Sequence, residues 1–223
     1  MCGRYTLTRT AEEIAQAFHC KAEEGVFMPR YNIAPSQEMP VVIKEGEAGD
    51  RVMRLMKWGL VPHWAKDGDM RYSTINAKAE TLTSKPAFRK AFSRQRCLIP
   101  ADGFYEWDAH YTPKRPVYIY QDGRSLFAFA GLWDRWVSPN QGTTLESYAI
   151  ITTSANSLLS SIHERMPAIL DKAQYDDWLD PSAVPSRLLA LLFPYRAEDM
   201  HFYPVSTYVN SPRHEEPRCI EAI

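Results

Sequence analysis

The stretch VYIYQDGRSLFAFAGLW, residues 117–133, bears most directly on the fold class. Two apolar and aromatic runs, residues 117–120 and 126–133, lie on either side of Asp122-Gly123. An Asp-Gly pair between such runs favours the tight turn of a β-hairpin, because glycine adopts the positive φ that this turn requires. The stretch therefore predicts two antiparallel strands paired around Asp122 and Gly123.

Strand patterns recur on both sides of this stretch. Residues 39–43 and 52–58 predict a second hairpin, joined by a charged turn over 44–50. Further short strands are predicted over residues 3–8, 102–107, 148–153 and 202–204. Strands therefore outnumber helices, and most of them are joined by hairpins.

The predicted helices are short. Thr10 and Glu13 have the spacing of a capping box and begin a helix that runs to about Phe18. A second helix is predicted from an N-cap at Ser84 to about Arg94, others over 171–178 and 186–192, and one or two helical turns over 156–162. The sequence thus predicts an α+β fold, a single β-rich domain of antiparallel strands with flanking short helices over residues 1–223, with a polar tail from about 212.

The composition is that of an ordinary globular protein, with 45% hydrophobic and 24% charged residues among 223. No apolar run approaches the roughly 20 residues that a membrane helix needs, and the N-terminus lacks the apolar core of a signal peptide. We therefore expect a cytoplasmic monomer that does not contact a membrane. The four cysteines are scattered without a C-x-x-C pair, so neither a metal site, another cofactor nor a disulfide framework is expected.

The net charge of −1 conceals a basic segment. Residues 51–96 contain eleven Lys/Arg and three Asp/Glu, a net charge of +8, so the remainder of the chain carries −9. One interpretation is a positive surface that binds nucleic acid. The other is a solvated helix face, since about half of these cations fall within residues 85–96.

Cys2 follows the initiator methionine and is small enough for Met1 to be trimmed. Trimming would give one residue both a free α-amine and a thiol, with ordinary pKa values of about 7.7–8.0 and 8.5. Together the two groups can capture an aldehyde, because the amine forms an imine and the thiol then closes a five-membered thiazolidine ring. The alternative is that Cys2 belongs to an inert terminus.

Three further polar residues lie in aromatic or apolar surroundings. Strand alternation places Glu106 on the same face as Phe104, which predicts a half-buried carboxyl whose pKa is raised by desolvation, suited to general acid–base catalysis. His163 is either a catalyst or a structural histidine. Asn76 either holds a substrate oxygen or caps a turn.

Six ordered blocks make the chain resemble the SOS response-associated peptidase family, which includes abasic-site sensors. The blocks are MCGRY (1–5), RYNIAP (30–35), WGLVP (58–62), INA (75–77), ADGFYEW (101–107) and HERMP (163–167). They follow the order found in the family and extend over almost the whole chain.

The resemblance implies a β-rich domain with a narrow positive groove that binds single-stranded DNA carrying an abasic site, in the DNA damage response. Cys2 would supply the amine and the thiol for a covalent thiazolidine crosslink to the aldehyde of the opened sugar. Glu106 would transfer protons during imine formation, His163 would assist ring opening, and Asn76 would orient the amine and the sugar. The protein would then be cytoplasmic and associated with the nucleoid when bound to DNA.

The resemblance also implies DNA contacts outside the reacting centre. Arg4, Lys78, Lys85 and Arg165 would hold phosphates, Thr152 would add a hydroxyl contact, and Trp64 or a neighbour would stack on a base. The chain departs from the family pattern in having Lys78 in place of arginine and Ala65 in place of a second aromatic residue.

Three alternatives remain open from the sequence. An N-terminal-nucleophile amidohydrolase would use Cys2 with its own amine as the base. A cysteine peptidase or autopeptidase would use Cys2 with Glu106 and His163. A non-covalent single-strand binder would leave Cys2 without a role.

Overall fold

The computed structural model describes residues 2–22, 27–45, 49–66 and 74–223. The predicted α+β class with mainly antiparallel strands is confirmed within these residues. The strands are β1 (Arg4–Leu7), β2 (Lys21–Ala22), β3 (Arg30–Ile33), β4 (Glu38–Glu45), β5 (Asp50–Trp58), β6 (Asn76–Lys78), β7 (Arg96–Ala101), β8 (Gly103–Asp108), β9 (Arg115–Gln121), β10 (Phe127–Val137), β11 (Thr144–Ser154), β12 (Arg165–Pro167), β13 (Ile169–Leu170) and β14 (Met200–Pro204). The α-helices are α1 (Ala11–Phe18), α2 (Pro86–Arg94), α3 (Tyr175–Leu179) and α4 (Pro185–Leu189).

The strands form two sheets that pack on a shared core. The first sheet has the order β14-β9-β8-β1-β3. The second contains the path β12-β11-β10-β7-β4-β5-β2, and β11 also pairs in parallel with β5, which closes β5, β4, β7, β10 and β11 into a ring. Tyr5 of the first sheet packs edge-on against Trp58 and Phe129 of the second, with ring centroids 5.2 and 5.8 Å apart.

The hairpin predicted over residues 117–133 is wrong. Both strands exist and Gly123 has the positive φ of +64° expected at the turn, but β9 pairs with β8 and β14 while β10 pairs with β7, β11 and β13. The turn carries the chain from one sheet to the other. The two runs are buried along most of their length, and each strand obtains that burial inside a different sheet.

Several local predictions are confirmed. The side chain of Thr10 accepts a hydrogen bond from the backbone of Glu13, whose carboxylate accepts one from the Thr10 backbone, so the capping box begins α1 as expected. Strands β4 and β5 form the second predicted hairpin. Helix α2 begins one residue later than predicted, with Lys85 rather than Ser84 as its N-cap, because Pro86 suits the first helical position.

The one or two helical turns predicted over 156–162 are also present. The backbone N–H groups of Ser160 and His163 donate to the carbonyls of Asn156 and Leu159, four residues earlier, without a longer regular helix. The charged turn predicted over 44–50 lies partly outside the described residues. Within the described part of the chain, no helix is long and apolar enough to cross a membrane.

The polar segment after residue 212 packs onto the first sheet. The carboxylate of Glu215 accepts hydrogen bonds from the backbone of Tyr31 and Asn32 and from the guanidinium of Arg30. Cys219 is buried against the same sheet. The segment is polar as predicted, yet its charged side chains serve to attach it to β3.

Candidate active site around Cys2

Strand pairing brings the N-terminus beside Glu106. In β1 and β8, Arg4 lies opposite Tyr105 and Tyr5 opposite Phe104, so this antiparallel register carries Gly3 past Glu106. Cys2 is fully buried just before β1, and Glu106 is only 5% exposed. The burial predicted for Glu106 from strand alternation is therefore confirmed.

Asn76 reaches Cys2 from the second sheet. Strand β6 pairs in parallel with β11, with Asn76 opposite Ile150. Its side-chain amide donates a hydrogen bond of 2.8 Å to the carbonyl oxygen of Cys2. The Oδ1 atom of Asn76 is buried and has no hydrogen-bond partner. It is therefore an acceptor close to Cys2 that remains available to a substrate or to a free α-amine.

His163 lies in the turn that leads into β12. The backbone N–H of Arg165 donates to Nδ1 of His163 at 2.9 Å, which orients the imidazole ring. The charge of His163 acts on Glu106 and favours its ionised form. His163 is therefore close enough to Glu106 to lower the pKa of that carboxyl.

Burial raises the pKa of both reactive groups. The pKa of the Cys2 thiol is far above its ordinary value. The larger cause is desolvation by burial, and the second is the nearby carboxylate of Glu106. The Sγ atom lies 3.7 Å from the carbonyl oxygen of Arg4. The pKa of Glu106 is also raised by burial, while His163 partly opposes that shift. A carboxyl with a raised pKa is suited to both donating and accepting a proton.

The basic segment contributes fewer free cations than its composition suggests. Arg51 pairs with Asp176, and Arg54 pairs with Glu45. Arg96 is buried and donates four hydrogen bonds to backbone carbonyls. These three arginines hold the fold together. The exposed cations of the segment that the structure describes are Lys66, Lys78, Lys85, Arg89, Lys90 and Arg94, so both interpretations of the segment hold in part.

Two of the predicted DNA contacts are not supported by their geometry. The guanidinium of Arg4 donates to Asn32 Oδ1 at 2.7 Å and to the carbonyls of Val209 and Asn210 at 2.8 and 3.1 Å, so it attaches β1 to the C-terminal segment. The side chain of Thr152 is fully buried. Its hydroxyl lies 3.4 Å from Nη2 of Arg165 and serves that arginine instead of a phosphate.

Arg165 and Lys78 flank Thr152 on neighbouring strands. Lys78 lies opposite Thr152 in the pairing of β6 with β11 and is exposed. The guanidinium of Arg165 forms a bidentate salt bridge with the carboxylate of Glu80, with N–O distances of 2.6 and 3.0 Å. It also donates a hydrogen bond of 2.6 Å to the carbonyl of Thr152. The involvement of Glu80 was missed from sequence, although its position two residues after Lys78 was a signal.

Trp64 lies on a loop that is held by hydrogen bonds to Asp134 and from Trp136. Its side chain is 50% exposed. Asp134, which is buried, accepts hydrogen bonds from the backbone and Nδ1 of the preceding His63, at 2.8 and 2.9 Å. The indole N–H of Trp136 donates to the carbonyl of Ala65 at 2.8 Å, and Ala65 is buried. A small residue at 65 therefore matches a position that Trp136 covers.

Lys85 is exposed and is the N-cap residue of α2, whose outer face adds Arg89 and Lys90.

Within residues 2–22, 27–45, 49–66 and 74–223, no three His, Cys, Asp or Glu side chains lie close enough to hold a metal ion. The groups gathered around Cys2 are its own thiol, the carboxyl of Glu106 and the amide of Asn76, with the imidazole of His163 near Glu106.

The chain is similar to several known proteins. The family model of the SOS response associated peptidase (SRAP) matches residues 1–212. The abasic site processing protein YoqW of Bacillus subtilis is 45% identical over the full length of both chains. HMCES of Xenopus tropicalis, also named an abasic site processing protein, is 35% identical and is covered over 78% of its length by the whole of this chain. A crystal structure of a Bacteroides thetaiotaomicron protein superposes with a TM-score of 0.90 at 28% identity, with both chains fully covered. The chain belongs to the SOS response associated peptidase family.

Proposed function

We propose that this protein processes abasic sites in single-stranded DNA by forming a thiazolidine crosslink through Cys2 once Met1 has been removed. The names of its relatives support the substrate, since YoqW and HMCES are both abasic site processing proteins. The observation that carries the proposal is that Asn76 donates a hydrogen bond to Cys2, while Glu106 lies near both the Cys2 thiol and His163.

The reaction follows from the groups at the site. The ring-opened abasic sugar presents an aldehyde at C1′. The neutral α-amine of Cys2 adds to this carbon, and loss of water gives an imine. The thiol then adds to the imine carbon while the nitrogen takes up a proton, which closes the thiazolidine. No oxidant or metal enters this balance.

Glu106 is suited to the proton transfers of the first stage. Imine formation requires a base that takes a proton from the attacking amine and an acid that protonates the departing water. Because burial raises its pKa, Glu106 can serve in both roles. His163, with its ring oriented by the backbone of Arg165, would assist opening of the sugar.

The raised pKa of the Cys2 thiol orders the two additions. A thiol that stays protonated is a poor nucleophile until a positive charge forms beside it. Formation of the iminium places that charge on the nitrogen of the same residue. The amine therefore reacts first and the thiol second. The closed ring removes the iminium, which would otherwise promote β-elimination of the DNA strand.

The same thiol disfavours a cysteine peptidase. Such enzymes lower the pKa of the nucleophilic thiol with a neighbouring cation, whereas Glu106 and burial raise the pKa of Cys2. Desolvation is the largest cause of that shift, and the carboxylate of Glu106 adds to it. The arrangement suits a reaction in which the amine leads.

We propose that the DNA strand runs over Trp64, Lys78, Lys85 and Arg165. Lys78 and Lys85 are exposed cations on either side of Glu80, and cations of this kind hold phosphates without reading sequence. Trp64 offers an exposed aromatic face for stacking.

The test is intact mass after incubation with an oligonucleotide that contains one abasic site. We expect loss of Met1 and a protein–DNA adduct reduced by one water, together with a band that survives SDS and heat. Cys2→Ala should abolish both. An equally stable adduct with Cys2→Ala would refute the thiazolidine, and release of glutamate from glutamine without DNA would favour the amidohydrolase.

A further inference from the structure

We propose that Glu80 occupies, in the free protein, the place on Arg165 that a DNA phosphate takes in the complex, and so determines how tightly undamaged strands bind. The inference rests on the DNA-binding part of the proposed function. It assigns a role to an acidic side chain on an otherwise basic surface.

The contact between the two residues has the geometry of a phosphate contact. Nη1 and Nη2 of Arg165 lie 2.6 and 3.0 Å from the two carboxylate oxygens of Glu80. Arginine binds two phosphate oxygens with the same planar fork. A phosphate can therefore replace the carboxylate without any change in the position of the guanidinium.

Arg165 stays anchored when Glu80 leaves. Its Nη2 atom also donates to the carbonyl of Thr152 at 2.6 Å and lies 3.4 Å from the Thr152 hydroxyl. The Arg165 side chain is 12% exposed, whereas that of Glu80 is 55% exposed. The arginine is thus the fixed partner and the glutamate the exchangeable one.

The surrounding charge favours exchange for an anion. Glu80 lies on the short 3-10 turn Ala79–Thr81, directly after β6. Arg165 first, and also Lys78, lower the pKa of its carboxyl. Both cations would face an incoming phosphate once Glu80 has turned toward solvent.

This exchange predicts a signature in the salt dependence of binding. A phosphate that binds a free arginine releases condensed counterions, which steepens the slope of log K against log salt by about 0.7 for each phosphate on a single strand. When Glu80 is displaced, its negative charge stays beside the phosphate and offsets the charge that Arg165 supplies, which opposes that release. The wild type should therefore lack one phosphate's contribution to the slope.

The experiment measures binding of an undamaged oligonucleotide across a salt series, so that no crosslink forms. We expect Glu80→Gln to bind roughly two- to five-fold tighter, as loss of a competing surface ion pair implies, with a slope steeper by about 0.7. Glu164→Gln is the matched control, because Glu164 is an exposed acid next to Arg165 with no role in the site. The effects of Glu164→Gln on the affinity and on the salt slope should each be less than half of those of Glu80→Gln.

A double-mutant cycle isolates the pair. On the background of Arg165→Gln, the substitution Glu80→Gln should bring no gain in affinity. An unchanged Glu80→Gln variant, an equal effect of Glu164→Gln, or a gain that persists without Arg165 would overturn the inference. If Arg165→Gln does not fold, as judged by circular dichroism, the comparison of Glu80→Gln with Glu164→Gln decides alone.

A parallel denaturing gel with abasic DNA separates this inference from the proposed function. Wild type that binds DNA without crosslinking would refute the crosslink and leave the role of Glu80 standing if the salt series supports it. Wild type that crosslinks while Glu80→Gln is unchanged in the salt series would refute only the role of Glu80. Absence of any DNA binding would refute both.

Discussion

The side-chain amide of Asn76 donates a 2.8 Å hydrogen bond to the carbonyl oxygen of Cys2. This bond joins β6 of the second sheet to the residue that precedes β1 of the first. The proposed reacting centre is therefore built across the interface of the two sheets. Its geometry depends on how closely the sheets pack.

Asn76→Asp is expected to slow crosslinking by roughly 100-fold, the effect of misplacing a reacting group by about 1 Å. The change replaces a donor by a carboxylate oxygen facing the carbonyl of Cys2, which repels it. Affinity for undamaged DNA should stay within a factor of two or so, because the Asn76 side chain bonds Cys2 and is not one of the proposed phosphate contacts. Single-turnover rates and a binding titration measure the two effects, and a parallel loss of affinity would mean that Asn76 holds the strand.

Glu106→Gln is expected to slow crosslinking by about 100-fold or more, as for a general acid–base. It should also change the pH dependence of stability. Because the folded protein raises the pKa of Glu106 above its ordinary 4.5, the carboxyl favours folding in acid and costs stability as pH rises through the folded value. The variant should therefore be more stable than wild type at pH 8, and the difference should vanish near pH 4.

Glu80→Gln serves as a control, because its effect on the pH dependence of stability should have the opposite sign. Arg165 lowers the pKa of Glu80, so this carboxylate contributes stability above its unfolded pKa that is lost as pH falls. Thermal melts of both variants between pH 4 and 8 should diverge in opposite directions from wild type. If Glu106→Gln followed the curve of Glu80→Gln, the carboxyl of Glu106 would be a stabilising anion rather than a desolvated acid.

Trp64→Ala is expected to weaken binding of single-stranded DNA by about 1–3 kcal/mol, the value of one stacked base. The rate of crosslinking at saturating DNA should change little, since Trp64 does not contact the reacting residues. Phe193→Ala is the matched control, because Phe193 is 69% exposed and lies outside the proposed DNA surface. Equal losses in both variants would remove Trp64 from the interface.

The sequence predicts the local elements of this fold better than their partners. The capping box of Thr10 and the hairpin of β4 and β5 depend on neighbours in the chain, and both form as expected. The failure at Asp122 and Gly123 has a different origin. Alternation and turn residues show that two strands exist, whereas the sheet that each joins depends on which distant surfaces are available for burial.

The candidate site shows the same division. The ordered blocks predict which residues belong together: the amide of Asn76 binds Cys2, and Glu106 lies near both the Cys2 thiol and His163. The structural role of each arginine could not be predicted from its charge. Arg4, Arg96 and Arg165 are equally basic in sequence, yet the first attaches the C-terminal segment, the second binds carbonyls in the interior and the third pairs with Glu80.

Gly103→Ala is expected to cost roughly 2–3 kcal/mol, within the range for overpacking a core. A Cβ at residue 103 would overlap the ring and hydroxyl of Tyr118. That ring cannot move freely, because its hydroxyl lies 3.0 Å from the hydroxyl of Thr6 and donates to the carbonyl of Asp102. Chemical denaturation measures the loss, and Tyr118→Leu should cost less in the Gly103→Ala background than in the wild type.

Arg96→Leu is expected to cost roughly 3 kcal/mol, since it leaves several buried acceptors without a donor. The guanidinium of Arg96 binds the carbonyls of Phe92 and Ser93 at the end of α2, and those of Trp178 and Asp180 around the end of α3. It therefore attaches both helices to β7. Arg94→Leu removes an exposed arginine two residues earlier and should change stability by about 0.5 kcal/mol or less. Urea midpoints of the two variants distinguish a structural arginine from a surface one, and equal midpoints would show that the interior bonds of Arg96 add nothing to the free energy of unfolding.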